Sequence, residues 1–315
     1  MSKITVIIPI YNAEKYLSAT FRCLRNQSFT DFEVLLVNDG STDDPERICL
    51  EAAGSDARFR YVHQENQGVS AARNLGMALS KGEYITFIDA DDDIPDNYLE
   101  ALYNALTANN CQVSVCDVTV ITDGKATARF NMPPQQLTQP EALNYLLTRT
   151  HINSGPCAKL FKREVLEGVA FPPLKAYEDI LFVVGALCQC DRVVVTDETE
   201  YRYIQNAGSA MSTFMKMPSK DIVTASERLL AFLIERQDLN PRCLYITASH
   251  LMQYVIPLAN RKEAEAKAFI AAAKSVYRKY RCNILKCSAF PWKEKIVYLL
   301  AAYGWLYQDK KFTRI

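Results

Sequence analysis

Short apolar runs and helical patterns alternate through the first third of the chain, and this alternation constrains the fold more than any other feature. Strands this rich in Val, Ile and Leu, separated by helices of about ten residues, are typical of a parallel sheet covered on both faces. Right-handed crossovers then bring the carboxyl end of every strand to one edge, where open α/β sheets bind ligands. The apolar runs are Ile4–Ile10, Phe32–Asn38, Phe59–His63 and Tyr84–Ile88, and the helical patterns are Ala13–Arg25, Asp44–Ala53 and Val69–Ser80.

The rest of the chain predicts further strands and then a wholly helical region. Gln112–Val120 has strand character, and Asp123-Gly124 is a hairpin turn signal. Beyond about residue 215 we find only helical periodicity, at residues 219–235, 241–258, 263–280 and from 292 onwards. We therefore predict a Rossmann-like, mainly parallel α/β domain over residues 1–215, followed by a helical C-terminal extension over residues 216–315.

An acidic cluster, Asp89-Ala90-Asp91-Asp92-Asp93, follows the fourth apolar run. Carboxylates crowded at a strand tip repel one another and favour a hard divalent cation such as Mg²⁺ or Mn²⁺, which keeps waters and bridges to phosphate oxygens. The alternative is structural: Asp93 or a neighbour, followed by Pro95, would cap a helix over Asn97–Leu106.

Three more polar loops are expected at the same edge of the sheet. Asp39 sits at the second strand's tip and can accept from a base N–H, although a simple turn with a helix cap explains its loop as well. Arg73, on the first turns of the third helix, can reach a phosphate or form an ordinary surface salt bridge. The loops are Pro9-Ile10-Tyr11-Asn12, Asn38–Asp44 and Asn66–Asn74.

Residue spacing excludes several cofactor classes. No two of the eleven glycines lie at G-x-G spacing and no G-x-x-x-x-G-K-[ST] is present, so side chains and a metal must hold any nucleotide. The ten cysteines contain no Cys-x-x-Cys pair and the three histidines are scattered, which argues against a zinc site. The N-terminus enters a strand pattern directly, and we expect a cytoplasmic protein with reduced cysteines.

Charge is unevenly distributed along a chain with no net charge. Residues 274–315 hold ten Lys and Arg against two acidic residues, a net charge of +8, so the remainder carries −8. An acidic body argues against nucleic-acid binding, and a basic tail suggests an anionic surface as its partner.

Six motifs in order give the chain a strong resemblance to a known family. Together they resemble the nucleotide-sugar-dependent glycosyltransferases of family 2, which have the GT-A fold, over roughly residues 3–210. The resemblance implies a catalytic domain with a nucleotide-binding half at about residues 1–92 and an acceptor half at about 93–215. The motifs are VIIPIYN (6–12), LVNDGSTDD (36–44), NQGVSAARNLGM (66–77), YITFIDADD (84–92), AKLFKREVLEG (158–168) and YEDILF (177–182).

The resemblance also implies roles for individual residues. Asp179 matches the family's general base, although Glu178 and Asp179 also suit the N-terminus of a helix. Asp39 would hold the uracil imide N–H, and Asp89 and Asp91 would bind the metal, with Asp91 the more direct ligand. Tyr201-Arg202-Tyr203 would shape the acceptor side or simply pack. The nucleotide pocket would further include Pro9, Tyr11, Arg73 and Ala90, and the acceptor side Glu178, Asn153, Ser154 and Lys159.

The implied chemistry is an inverting transfer of a sugar from a UDP-sugar to a saccharide hydroxyl. A divalent cation neutralises the departing diphosphate, and one carboxylate takes the acceptor's proton. GDP or dTDP remain open as alternatives to UDP. Two other classes are a nucleotidyltransferase that makes nucleotide-sugars, which would be expected to carry a glycine-rich, basic N-terminal loop, and an inactive nucleotide-binding homologue.

The C-terminal segment Ile296–Trp305 is apolar, contains aromatic residues and is flanked by lysines and an arginine. It is too short to span a bilayer, which takes about 20 residues, but it suits a helix lying in the membrane interface. Docking on the catalytic domain is the alternative. An interfacial position fits a lipid-linked saccharide acceptor, as in bacterial surface polysaccharide assembly, and a peripheral place on the inner face of the cytoplasmic membrane.

Overall fold

A computed structural model describes residues 2–128, 132–205, 218–259, 261–303, 305–308 and 311–314. The chain divides into two compact units, Met1–Asn206 and Ala207–Ile315. The boundary that the sequence predicts, at residue 215, lies outside the described residues.

The first unit alternates strands and helices as the periodicity predicts, with element ends within a few residues of the expected positions. A short 3₁₀ helix covers Arg163–Leu166. Strands are β1 Ile4–Ile10, β2 Phe32–Asp39, β3 Phe59–Gln64, β4 Tyr84–Phe87, β5 Val113–Thr122, β6 Lys125–Ala128, β7 Gln135–Thr138, β8 Lys159–Lys162 and β9 Arg192–Ile204; helices are α1 Glu14–Arg25, α2 Pro45–Ser55, α3 Val69–Leu79, α4 Tyr98–Ala108, α5 Gln139–Leu147 and α6 Glu178–Leu187.

All nine strands form one sheet of order β3-β2-β1-β4-β8-β5-β9-β7, with β6 paired to β5. Strands β1, β2, β3, β4, β5 and β9 run in one direction, while β6, β7 and β8 run against them. The mainly parallel α/β sheet that we predicted is therefore confirmed, and the carboxyl ends of its parallel strands share one edge.

Helix α3 packs tightly on the parallel part of the sheet. Leu35, Val37 and Ala72 form a buried cluster between β2 and this helix. Gly76 faces β1 so closely that an added Cβ would lie 2.4 Å from Cγ2 of Ile7, which requires glycine at this position. The close approach fixes the position of α3 relative to the ends of the strands. The first turns of this helix carry Ser70 and Arg73.

Strand β8 lies between β4 and β5 and is antiparallel to both. Leu160 pairs with Thr86 on one side, and Lys159 pairs with Val115 on the other. This insertion joins strands β1 to β4 to the later strands in one continuous sheet.

The second unit contains four helices and a two-stranded antiparallel hairpin among its described residues. Rings of Tyr277 and Tyr298 lie 5.5 Å apart, and the Tyr298 hydroxyl bonds to Ser249 at 2.9 Å, so one face of the last helix is buried within this unit. The elements are α7 Asp221–Glu235, α8 Pro241–Leu258, α9 Ala264–Lys286, α10 Trp292–Ala302, β10 Trp305–Gln308 and β11 Lys311–Arg314.

The apolar segment Ile296–Trp305 is not a single helix as predicted, because α10 ends at Ala302 and β10 begins at Trp305. The other face of α10 exposes Trp292 and Ile296, which are 68% and 44% accessible, and Tyr303, which is 57% accessible, directly follows the helix. None of the described helices combines the length and apolar character that a membrane crossing requires.

Candidate active site

The loops after β1 and β2 are joined at the edge of the sheet. Asn12 adopts the left-handed conformation (φ 51°), and its side-chain oxygen accepts from the backbone N–H of Thr42 at 2.8 Å. Its own N–H donates to the Ser41 hydroxyl at 3.1 Å. Pro9, on β1, is paired with Val37 on the neighbouring parallel strand β2. Tyr11, which we predicted to line the nucleotide pocket, is half exposed next to this junction.

Asp39 is buried at the end of β2 and binds the loop between β3 and α3. Its carboxylate accepts from the Gln64 amide at 2.6 Å and from the backbone N–H groups of Gln67 at 2.9 Å and Gly68 at 2.8 Å. Asp39 therefore organises the loop that leads into α3. The contact with a uracil base stays a prediction.

Arg73 is fully buried and connects two parts of the site. Its guanidinium donates to Oδ1 of Asp89 at 2.9 Å and to Oε1 of Glu178 at 3.3 Å, and it lies 5.3 Å from the Phe171 ring centroid. Although burial alone would lower the pKa of Arg73, the two carboxylates raise it, so the charge is retained. The alternative of an ordinary surface salt bridge is wrong.

Two buried polar atoms on α3 lack a hydrogen-bond partner among the described residues: Nε of Arg73 and the hydroxyl of Ser70. Both lie in the first two turns of the helix, where backbone N–H groups and the helix dipole favour an anion. Buried donors without partners are rare in folded proteins, and their presence here fits a bound phosphate or sugar.

The acidic cluster forms a turn, Asp89–Asp93, that is bound on both sides. The Ala90 carbonyl accepts from the Thr20 hydroxyl of α1 at 2.7 Å, and the Asp93 backbone exchanges two hydrogen bonds with Arg202. Helix α4 starts only at Tyr98, with Asn97 as its cap residue and no side-chain cap bond. The cluster therefore does not cap this helix, and the structural alternative is wrong.

Tyr201, at the end of β9, lies beneath this turn. Its hydroxyl donates to Oδ2 of Asp92 at 2.7 Å and accepts from the backbone N–H of Asp89 at 3.1 Å. The other oxygen of Asp92 accepts from the N–H of Ile204 at 2.9 Å. Burial, and then the charge of Asp89, raises the pKa of Asp92 to about 8. The sequence suggested only packing or acceptor contact for Tyr201. Tyr201 and Asp92 lie 109 positions apart, and no local sequence pattern indicates a contact over that distance.

Glu178 and Asp179 begin α6, as predicted. Burial, followed by the charge of Asp179, raises the pKa of Glu178 to about 7. Burial raises the pKa of Asp179 as well, against the lowering effects of the Ile180 N–H and of nearby Arg73, Arg149 and Lys159. A carboxyl with a raised pKa is suited to proton transfer near neutral pH.

The backbone before α6 is held in an unusual conformation. Tyr177 has φ 63° and Arg149, whose guanidinium lies 5.4 Å from the Tyr177 ring centroid, has φ 55°. Non-glycine residues in this region cost on the order of 1–3 kcal/mol each and are concentrated at functional sites. Tyr177 directly precedes α6, so its conformation sets the direction in which the helix that carries Glu178 and Asp179 begins.

Lys159 points into the protein, where its side chain is fully buried. Its ammonium donates to the carbonyls of Asn153 at 2.9 Å and Gly155 at 2.6 Å. Burial lowers the pKa of Lys159 to about 8. Asn153 and Ser154 are partly buried on the loop that this ammonium holds. Contact of Lys159, Asn153 and Ser154 with an acceptor stays a prediction, and the inward ammonium shows Lys159 in a supporting role.

The acidic turn also has the donor chemistry that a divalent cation needs. Among the described residues, no three His, Cys, Asp or Glu side chains converge as a protein-only metal site. Mg²⁺ and Mn²⁺ are commonly held by one or two carboxylates together with substrate phosphates, so Asp89 and Asp91 next to the unpaired donors of α3 fit such an ion.

Sequence comparisons match this chain to one family and to its members. The model of "Glycosyl transferase family 2" matches residues 5–169. Glycosyltransferase GlyG of Streptococcus pneumoniae serotype 4 is 31% identical over 70% of this chain and 77% of its own length. The minor teichoic acid biosynthesis protein GgaB of Bacillus subtilis is 26% identical over 82% of this chain, which spans only 30% of that longer protein.

Solved structures share the fold at low sequence identity. S. aureus TarS 1–349 in complex with UDP superimposes with a TM-score of 0.77 at 19% identity, over 99% of this chain and 96% of that one. The mannosyltransferase PcManGT from Pyrobaculum calidifontis, in complex with GDP-Man and Mn²⁺, gives a TM-score of 0.53 at 18% identity, over 96% and 86% of the two chains.

Proposed function

This chain belongs to glycosyl transferase family 2 and is a glycosyltransferase, and we propose that it inverts configuration as it moves a sugar from a UDP-sugar to a saccharide hydroxyl. The observation that carries the proposal is the shared guanidinium of Arg73, 2.9 Å from Asp89 and 3.3 Å from Glu178. The Arg73 side chain lies between an acidic turn suited to a divalent cation and a carboxylate pair suited to proton transfer.

The donor side of the site is assigned to the loops after β1, β2 and β4 and to the start of α3. Asp39 orients the loop before α3 and accepts the imide N–H of the base, while Pro9 and Tyr11 line the nucleotide pocket with Ala90. The unpaired donors of Ser70 and Arg73 bind the diphosphate or the sugar. Asp89 and Asp91 would hold a divalent cation, which would neutralise the charge that builds up on the leaving phosphate.

The acceptor side is assigned to the start of α6. Asp179 takes the proton of the acceptor hydroxyl as the oxygen attacks the anomeric carbon, and its raised pKa suits it to this role near neutral pH. Attack opposite the leaving diphosphate inverts the anomeric configuration, and a single base suffices because no covalent intermediate is formed. Glu178 holds Arg73 in place beside this base, and Asn153 and Ser154 contact the acceptor.

A direct binding experiment identifies the donor nucleotide and tests whether its binding depends on a metal. Thermal unfolding of the whole protein is measured with UDP, GDP, dTDP and CDP, each with and without Mn²⁺. A ligand at about 100 times its Kd adds on the order of 2.7 kcal/mol, which moves Tm by several degrees. We expect a Mn²⁺-dependent shift with UDP, the nucleotide bound by TarS. A shift of Tm with GDP alone would show that the donor carries GDP instead of UDP. No shift with any nucleotide would contradict the donor site.

A lipid-linked saccharide is the proposed acceptor, reached from the inner face of the cytoplasmic membrane. Support comes from α10, which exposes Trp292 and Ile296 about one helical turn apart, with Lys293 and Lys295 next to them, and from the exposed Tyr303 that follows the helix. An apolar helix face with adjacent lysines is typical of binding to an anionic membrane surface. The named role of GgaB in teichoic acid biosynthesis also supports a saccharide acceptor in surface polymer synthesis.

A further inference from the structure

We propose that Tyr201 is a positioning residue for the metal-binding turn: its hydroxyl sets the separation and direction of the Asp89 and Asp91 carboxylates through Asp92. This inference rests on the proposed function, since it concerns the same turn, but it adds a residue from β9, which is more than a hundred positions away in the chain. Tyr201 does not itself touch the substrate or the cation.

The geometry of the hydroxyl supports this role. Its proton is donated to Oδ2 of Asp92 at 2.7 Å, and its oxygen accepts the N–H of Asp89 at 3.1 Å. The Tyr201 hydroxyl oxygen therefore connects the backbone of Asp89 to the side chain of Asp92. Asp91 lies between these two contact points, so their distance controls the curvature of the peptide that carries it.

The rest of the turn cannot replace this contact. Asp92 is only 4% exposed, and its second oxygen is already taken by the N–H of Ile204 at 2.9 Å. Removing the Tyr201 hydroxyl would leave Oδ2 of Asp92 and the N–H of Asp89 without their partner in the protein interior. Leaving buried polar groups without partners is costly, and the turn would rearrange to hydrate them.

Burial of the tyrosine ring makes the hydroxyl a fixed point. Tyr201 is 2% exposed, and its ring packs 6.1 Å from that of Tyr98 on α4. The adjacent Arg202 exchanges two backbone hydrogen bonds with Asp93, at 3.0 and 3.1 Å. The end of β9 is therefore a rigid base beneath the acidic turn, and groups that orient metal ligands change metal affinity by about 10–100-fold when they are lost.

The test compares the whole protein with its Tyr201→Phe variant, which removes one oxygen and keeps the ring. Free Mn²⁺ is followed by electron paramagnetic resonance during titration in the presence of UDP, and Tm is recorded for each protein. The matched control is Tyr277→Phe in the second unit, where a buried tyrosine hydroxyl donates to the carbonyl of Ala248 at 3.2 Å. Both variants lose one buried hydroxyl.

We expect Tyr201→Phe to weaken Mn²⁺ binding by about tenfold or more, while Tyr277→Phe binds Mn²⁺ like the wild type. Asp92→Ala, which removes the carboxyl group, should reproduce the loss, and the double variant should be no weaker than the weaker single one, because both changes break the same contact. Asp92→Ala also serves if Tyr201→Phe fails to fold.

Unchanged Mn²⁺ affinity in Tyr201→Phe, or losses that add in the double variant, would overturn the inference and leave the proposed function intact. A wild-type protein that binds no Mn²⁺ with UDP, GDP, dTDP or CDP would instead overturn the metal-dependent donor site, and the inference with it.

Discussion

A single buried guanidinium joins residues that lie far apart in the chain. Arg73 bonds to Asp89, 16 positions away, and to Glu178, 105 positions away. Because each carboxylate shares the same cation, movement of one changes the field at the other. The acidic turn and the start of α6 are therefore electrostatically connected within the first unit.

Asp179→Asn should lower the rate of transfer by about 10²–10⁴-fold, because it removes the base and keeps the shape of the side chain. Binding of UDP with Mn²⁺ should change little, since Asp179 is assigned to the acceptor side. Release of UDP from the UDP-sugar chosen by the donor screen, together with a UDP titration, measures both quantities. Turnover near the wild-type rate would show that another group is the base.

The pH dependence of kcat/KM should report the carboxylate pair. The folded-state pKa of Glu178 is raised to about 7 and that of Asp179 is also raised, so both take up protons at a pH where ordinary carboxyls are ionised. Activity should therefore fall with decreasing pH at a pH above the range of an ordinary aspartate, as Asp179 takes up a proton. Glu178→Gln removes one like charge and should move this acid limb to lower pH. An acid limb at the same pH in this variant would contradict the coupling.

At the scale of structural elements, β8 contributes a lysine that supports a loop. The Lys159 ammonium donates hydrogen bonds to backbone carbonyls within residues 153–157, including that of Cys157 at 3.3 Å. It satisfies carbonyl groups that would otherwise need water. This loop carries Asn153 and Ser154, so its position matters for the proposed acceptor side.

Lys159→Met should lower the free energy of unfolding by about 1–3 kcal/mol, because buried carbonyls lose their donor. Urea unfolding gives this value. Lys162→Met is the matched control on the same strand: Lys162 is partly exposed and pairs with Glu164 at 3.0 Å, so we expect a change within about 0.5 kcal/mol. Equal effects of the two substitutions would show that the Lys159 contacts do not hold the loop.

Sequence periodicity predicted the elements well because each strand or helix depends mainly on its own pattern of apolar residues. The sheet edge that carries Asp39 and Asp89 was predicted too, since the carboxyl ends of parallel strands joined by right-handed crossovers lie at one edge. Side-chain partners were not predictable in this way. The bond from Tyr201 to Asp92 spans 109 positions, and the inward direction of Lys159 depends on the packing of β8 between two other strands.

At the scale of the whole molecule, the exposed face of α10 leads to a prediction about membrane binding. The protein should co-sediment with vesicles that contain phosphatidylglycerol and less with phosphatidylcholine vesicles. Replacing Trp292 and Ile296 together by Glu should weaken this binding by more than about tenfold, because two apolar side chains no longer enter the interface.

The control for this experiment is Leu50→Glu, which changes an equally exposed apolar residue (51%) on α2 of the catalytic unit. It should leave vesicle binding unchanged. Sedimentation that is insensitive to the Trp292 and Ile296 changes would exclude α10 as the membrane contact, and a wild-type protein that stays in solution would exclude the contact altogether.

The place of β8 in the sheet also determines when β4 and β5 can be joined during synthesis. The 71 residues between Phe87 and Lys159 leave the ribosome after β4 and before β8. Until β8 follows, β4 and β5 each lack a hydrogen-bonding neighbour, and open strand edges of this kind attract other chains. Neither β4 nor β5 can therefore have all of its neighbours in the sheet before this four-residue strand has been made.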